Sequence, residues 1–146
     1  MMRINEFIGK EGQAAIVKAV KAAELHTSGE IRVHIESKCG EDVLKRAVYI
    51  FNYLKMQKTQ ARNGVLIYVA VESRKFAIIG DSGINSKVPN HFWDEIKQKM
   101  GSAFAAGNYV DGLCIAIGEA GHSLKEYFPY KSDDVNEQPD DISFGQ

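Results

Sequence analysis

The chain has 146 residues, 45% hydrophobic and 25% charged, with a net charge of −1; that suits one domain with one core and gives no general electrostatic pull toward nucleic acid. No apolar run approaches the roughly 18 residues that span a bilayer, and the first six residues hold no apolar segment ahead of a cleavage site. A cytoplasmic protein without a membrane span is the expectation, and Cys39 and Cys114, which form no C-x-x-C pair, are expected as free thiols, Cys114 buried in a helix.

Residues 6 to 26 carry Ile16, Val20 and Ala23 on one face with Lys10, Lys18 and Lys21 largely off it, which predicts an amphipathic helix stopped by Thr27-Ser28-Gly29 and weakened in its first turns by Gly9 and Gly12. Glu30 to Glu36 alternates Ile31, Val33 and Ile35 with Arg32, His34 and Glu36, the pattern of a strand with one polar face. A second helix is predicted over 41 to 57, with Val43, Ala47, Ile50, Phe51 and Leu54 at helical spacing and Glu41 and Asp42 at its positive end. Val65 to Val71 is apolar without alternation, as in a central strand covered on both faces. A turn at Glu72 to Lys75 leads into a third strand ended by Gly80. Pro89-Asn90 is the expected start of the next helix, with Trp93, Ile96, Met100 and Phe104 on its apolar side and Phe92-Trp93 as a core anchor. Tyr109 to Gly112 is the expected joint to a last helix bearing Leu113, Ala116, Ile117, Ala120 and Leu124.

Strand, helix, strand and hairpin predict a mixed sheet: a parallel β-α-β unit plus an antiparallel hairpin. Helices before, between and after the strands make the expected fold class α/β, a three-layer α/β/α sandwich. The domain is expected to occupy residues 1–130. Residues 131–146 carry Asp133, Asp134, Glu137, Asp140 and Asp141 with no base after Lys131, and are expected as an acidic, solvated and flexible tail. Without those five acids the body holds 18 basic against 14 acidic residues.

In this topology the starts of the two parallel strands and the end of the third meet at one sheet edge. Ser28-Gly29-Glu30, Arg62-Asn63-Gly64 and Gly80-Asp81-Ser82-Gly83 come together there, with Tyr109-Val110-Asp111 a further candidate that the pattern does not force. Carboxylates with backbone carbonyls suit Ca²⁺ or Mg²⁺, and Arg62 beside them could fork onto a phosphate. The bland alternative is that Asn-Gly and Gly-Asp merely close turns and that Glu30 and Arg62 form a surface ion pair. Gly80-Asp81-Ser82-Gly83 matches a serine-protease nucleophile motif by coincidence, since no second motif supplies a triad. His26, His34, His91 and His122 lie too far apart in sequence for a zinc motif.

Four segments occur in order: Thr27-Ser28-Gly29-Glu30-Ile31-Arg32-Val33, Arg62-Asn63-Gly64-Val65-Leu66-Ile67, Ile79-Gly80-Asp81-Ser82-Gly83-Ile84, and Phe104 followed by Tyr109-Val110-Asp111-Gly112-Leu113. Over roughly residues 5 to 128 the chain resembles the TPM-domain family, which includes thylakoid-lumen acid-phosphatase-like proteins and photosystem II repair factors; its ending resembles that of stand-alone bacterial members. The resemblance implies an α/β/α sandwich and an acidic site for a divalent metal, commonly calcium, with phosphatase activity in some members. Carried over by motif, the implied metal residues are Glu30, Asn63, Asp81 and Asp111, with Arg62 the phosphate-binding candidate. Three functions follow as expectations: a calcium-binding module with a protein partner, a metal-dependent phosphatase acting on phosphomonoesters, or a metal-free scaffold.

Overall fold

A computed structural model of the chain describes residues 3–130 and 139–145. Two helices open it, α1 (Ile4–Phe7) and α2 (Lys10–Ala23). The single helix expected over 6 to 26 is therefore interrupted: Ile8 and Gly9 are extended, and Gly9 becomes the N-cap of α2. The strands β1 (Glu30–Glu36), β2 (Gly64–Ala70), β3 (Lys75–Gly80) and β4 (Ser143–Phe144) form one sheet in the order β3-β2-β1-β4. β1 runs parallel to β2 and to β4, whereas β3 runs antiparallel to β2. This is the expected mixed sheet, with one added strand.

β4 corrects the expectation of a solvated tail for its own residues. Ser143 and Phe144 pair with His34 and Ile35, and the Gly145 amide donates to the Ile35 carbonyl. Two apolar residues, Ile142 and Phe144, flank the serine and give the segment strand alternation. Lys131 to Gln138, with Asp133, Asp134 and Glu137, lie outside the described residues.

Between the parallel strands runs α3 (Val43–Tyr53), begun by Asp42, whose carboxylate accepts from the Lys45 amide. It ends four residues before the expected 57, because Leu54 to Gln57 turns and Lys55 takes a left-handed backbone with φ 58°. After β3 comes an unanticipated single turn of helix, α4 (Ser82–Asn85). Next is α5 (Asp94–Ala105), starting later than Pro89 because Phe92 and Asp94 close i→i+3 turns onto Pro89 and His91. Then α6 (Tyr109–Leu124) follows, whose first turn is the expected joint itself.

Helices α2, α5 and α6 cover one face of the sheet and α3 the other. The first core gathers Ile31, Val33, Ile35, Val65, Ile67 and Ile78 against Ile16, Val20, Met100, Leu113 and Ile117. The second gathers Leu66, Tyr68, Ala70 and Ala77 against Ala47, Ile50 and Phe51. β2 is buried at every position because it belongs to both. Helices α2 and α6 touch at Gly121, where a β-carbon would stand 2.8 Å from that of Ala23. Phe92 and Trp93 are partly buried against the first core, their rings edge to face at 4.7 Å. Both cysteines are unpaired thiols; Cys39 is buried, but Cys114, expected buried, is half-buried in α6.

Candidate functional site

The sheet edge assembles as its topology dictates. Glu30 stands opposite Gly64, Val65 opposite Gly80, and the Asp81 amide donates to the Gly64 carbonyl at 2.9 Å. The three polar segments thus lie side by side, and β2 keeps the backbones of Glu30 and Asp81 about 10 Å apart, two strand spacings.

On the β3 side Asp81 is fully engaged. Arg62 forks onto it, Nε to Oδ2 at 2.7 Å and Nη2 to Oδ1 at 2.9 Å, and Oδ1 also accepts from the Ser82 amide at 2.7 Å, capping α4. The planar guanidinium matches both carboxylate oxygens, so the pair satisfies itself. Arg62 holds a left-handed backbone, φ 51°, to make this reach, and its carbonyl accepts from the Gly83 amide. Gly83 is required there: a β-carbon would lie 2.2 Å from the Ala61 carbonyl oxygen and 2.6 Å from that of Arg62.

On the β1 side the arrangement is acidic. Glu30 is 4% exposed and Asn63 3% exposed. The Asn63 amide nitrogen donates to the Ser28 carbonyl at 3.2 Å, whereas its Oδ1 is buried without a hydrogen-bond partner among the described residues. Few buried polar atoms are left so in folded proteins, and each asks for a reason. Beside Glu30 stands Glu24, which accepts from the Ile31 amide at 3.1 Å. Its carboxyl pKa is pushed up to about 10, first by burial, then by its hydrogen bond with Asp140 and by the charge of Glu30. Glu24 is thus pushed toward its protonated form, in hydrogen-bond contact with Asp140. Sequence reasoning missed both: Glu24 reads as the end of a helix and Asp140 as part of a tail.

Asp111 does not join this edge. The C-terminal end of α6 is there, with Leu124 3.2 Å from where a Gly29 β-carbon would be. Asp111 sits in the first turn of α6, about 20 Å away along the helix axis. The implied quartet thus divides: Glu30 and Asn63 are adjacent, Asp81 is one strand further and paired with Arg62, and Asp111 is at the opposite end. Among the described residues no three Asp, Glu, His or Cys side chains already form a metal-ready group. The residues fit a cation in part: a buried oxygen without a donor among the described residues, and the Glu24 carboxyl crowded by Asp140 and the Glu30 charge, are both groups that an ion would satisfy.

The far end of β1 carries a second polar cluster. Glu36, 1% exposed, accepts from Arg46 Nε at 2.8 Å and Nη2 at 3.0 Å and from the Tyr68 hydroxyl, and its Oε1 meets His34 Nε2 at 3.2 Å. His34 Nδ1 meets Ser143 Oγ at 3.0 Å. Burial works to raise the Glu36 pKa, but the bonds from Arg46, Tyr68 and His34 outweigh it and the net shift is downward. Burial also lowers the pKa of His34. Serine, histidine and carboxylate run in series here, yet Arg46 and Tyr68 already hold the carboxylate, so the chain of bonds pins β4 to the sheet.

A family model of the TPM domain matches residues 4–122. In its solved structure the BA42 protein of the psychrophilic bacterium Bizionia argentinensis is 48% identical, with a TM-score of 0.92 over 99% of this chain and 100% of that one. The N-terminal domain of a P. gingivalis protein, at 15% identity, superposes with a TM-score of 0.69 over 84% of this chain and 79% of its own. The N-terminal domain of the cg2496 protein of Corynebacterium glutamicum, at 14% identity, reaches 0.60 over 95% and 80%. These last two share the fold. No curated protein matches. Match length, identity and the ordered strand-end motifs agree: the chain belongs to the TPM-domain family.

Proposed function

We propose that this TPM domain is a divalent-cation-binding module, calcium in preference to magnesium, that acts through a protein partner and has no catalysis of its own. The observation that carries this reading is the buried Oδ1 of Asn63, unpartnered among the described residues, next to buried Glu30. Glu30 and Asn63 would hold the ion, with Asp140 beside them and Glu24 adding its charge once the ion displaces its proton. An irregular set of carboxylate, amide and carbonyl oxygens suits Ca²⁺, which tolerates variable geometry, better than Mg²⁺, which demands an octahedron and retains its waters. The outer side of α3 supports a partner: Leu44, Val48, Tyr49 and Tyr53 are each at least half exposed, and tyrosine-rich apolar surface is typical of interface centres.

Titration with Ca²⁺ followed by amide and side-chain NMR tests the site. Shifts are expected at Ser28 to Ile31 and at the Asn63 side-chain amide, with Mg²⁺ weaker, and Asn63→Ala is expected to lower calcium affinity about tenfold or more. No shift at these positions at millimolar Ca²⁺ overturns the proposal. If chelator also leaves the melting temperature unchanged, the metal-free scaffold takes its place.

The phosphatase reading is less favoured because the fork of Arg62 is committed to Asp81. A guanidinium bound bidentately to a carboxylate must break that pair before clamping a phosphate. Metal-dependent turnover of phosphomonoesters that disappears in Asp81→Asn would restore that reading.

A further inference from the structure

At the end of the sheet opposite Glu30 lies a cleft of about 410 Å³. Its walls are Phe7, Phe76, Phe104 and Tyr109, and Arg74 and Lys75 stand on the hairpin turn that forms one side. The rings support one another: Phe7 stacks on Tyr109 at 4.7 Å, and Phe104 meets Phe7 and Phe76 edge to face at 5.4 and 5.6 Å. The β2 residues Val69 to Val71 also line it. The volume lies in the range of small-molecule sites, and aromatic and aliphatic side chains share the lining with backbone polar groups and two cationic side chains.

The two cations differ. Lys75 Nζ lies within hydrogen-bond reach of the Cys39 and Glu41 carbonyls, at 3.4 and 3.2 Å, so its charge is drawn toward the loop before α3. The Arg74 guanidinium has no ion pair or hydrogen bond among the described residues. It also occupies a left-handed backbone position, φ 54°, where glycine or asparagine would be at less cost. An unspent guanidinium at the side of an aromatic-walled cleft is complementary to a ligand with an apolar body and one anionic head.

We propose that this cleft binds a small amphipathic carboxylate, its ring or short alkyl body between Phe76, Phe104 and Tyr109 and its carboxylate on Arg74. The site is separate from the cation site at the other end of β1 and β2, and it does not depend on it.

The test uses the full chain in excess chelator, with 2-naphthoate and decanoate as probes and neutral 2-naphthol as the control, followed by amide NMR. Shifts are expected at Val69 to Phe76, Gly101 and Phe104 to Tyr109. Arg74→Asn, which suits the backbone, is expected to weaken the carboxylates about tenfold while leaving 2-naphthol within about twofold. Ala105→Trp, which fills the cleft from an exposed helix position, is expected to abolish binding of all three. Three results overturn the proposal: no saturable shifts at millimolar probe, shifts centred on the exposed α3 residues Leu44 and Tyr53, or unchanged carboxylate affinity in Arg74→Asn. Asn63→Ala should bind the probes as the native chain does, so this outcome and that of the calcium titration are independent.

Discussion

Glu36 is a carboxylate with almost no contact with water, held by a guanidinium, a phenol and an imidazole. Its folded pKa and that of His34 both lie below their ordinary values. The unfolded chain therefore takes up these protons first as pH falls: His34 from about 6.5 and Glu36 from about 4.3. The stability each contributes is present above its unfolded pKa and lost as pH drops through the folded one. Urea midpoints measured from pH 8 to pH 4 should fall below about pH 6.5, and His34→Gln should flatten the first part of that decline. Glu36→Gln should cost about 3 kcal/mol at pH 7, because it leaves Arg46 without its partner. Alternation in Glu30 to Glu36 made the polar face of this strand legible, but not its partners. Arg46 reaches Glu36 because α3 crosses that face, and Tyr68 because β2 lies beside β1. The same limit governs the candidate site: Arg62 and Asp81 were both legible as strand-end residues, yet a separation of 19 positions carries no hint that each would occupy the other.

Among the elements, the apolar run of β2 and the spacing in α3 and α6 were plain from sequence because burial there is periodic or continuous. Three features were not. The break at Ile8-Gly9 is signalled only by its glycines, because the apolar pattern runs through it and Phe7 and Ile8 are buried with or without a helix. The four residues of α4 are too few to show a period. Two-residue β4 is dominated by its acidic surroundings, and only Ile142 and Phe144 betray it. The α4 turn sets the local shape of the candidate site, because Gly83 must pass beneath the carbonyls of Ala61 and Arg62. Gly83→Ala should therefore lower stability by about 2–3 kcal/mol through overpacking against backbone. Its NMR shifts should centre on Ala61 to Asn63; shifts confined to residues 82–85 would show that the helix turn accommodates the methyl group alone.

For the whole molecule, the position of β2 between two cores and between two strands predicts the order in which the structure opens. Amide hydrogen exchange should be slowest across Val65 to Ala70, at rates set by global unfolding. Gly145, held to Ile35 by one bond at the margin, should exchange far sooner, and equal protection at both places would show that β4 unfolds only with the rest. β4 has a further consequence, one of company rather than stability. Without it, the outer side of β1 would present a row of unpaired peptide groups, and any extended segment of another chain could extend the sheet. With Ser143 and Phe144 laid there in two ladder pairs, the sheet among the described residues stops at four strands; the charged and glycine-containing stretch around β4, Asp140, Asp141 and Gly145, then faces newcomers as a poor template.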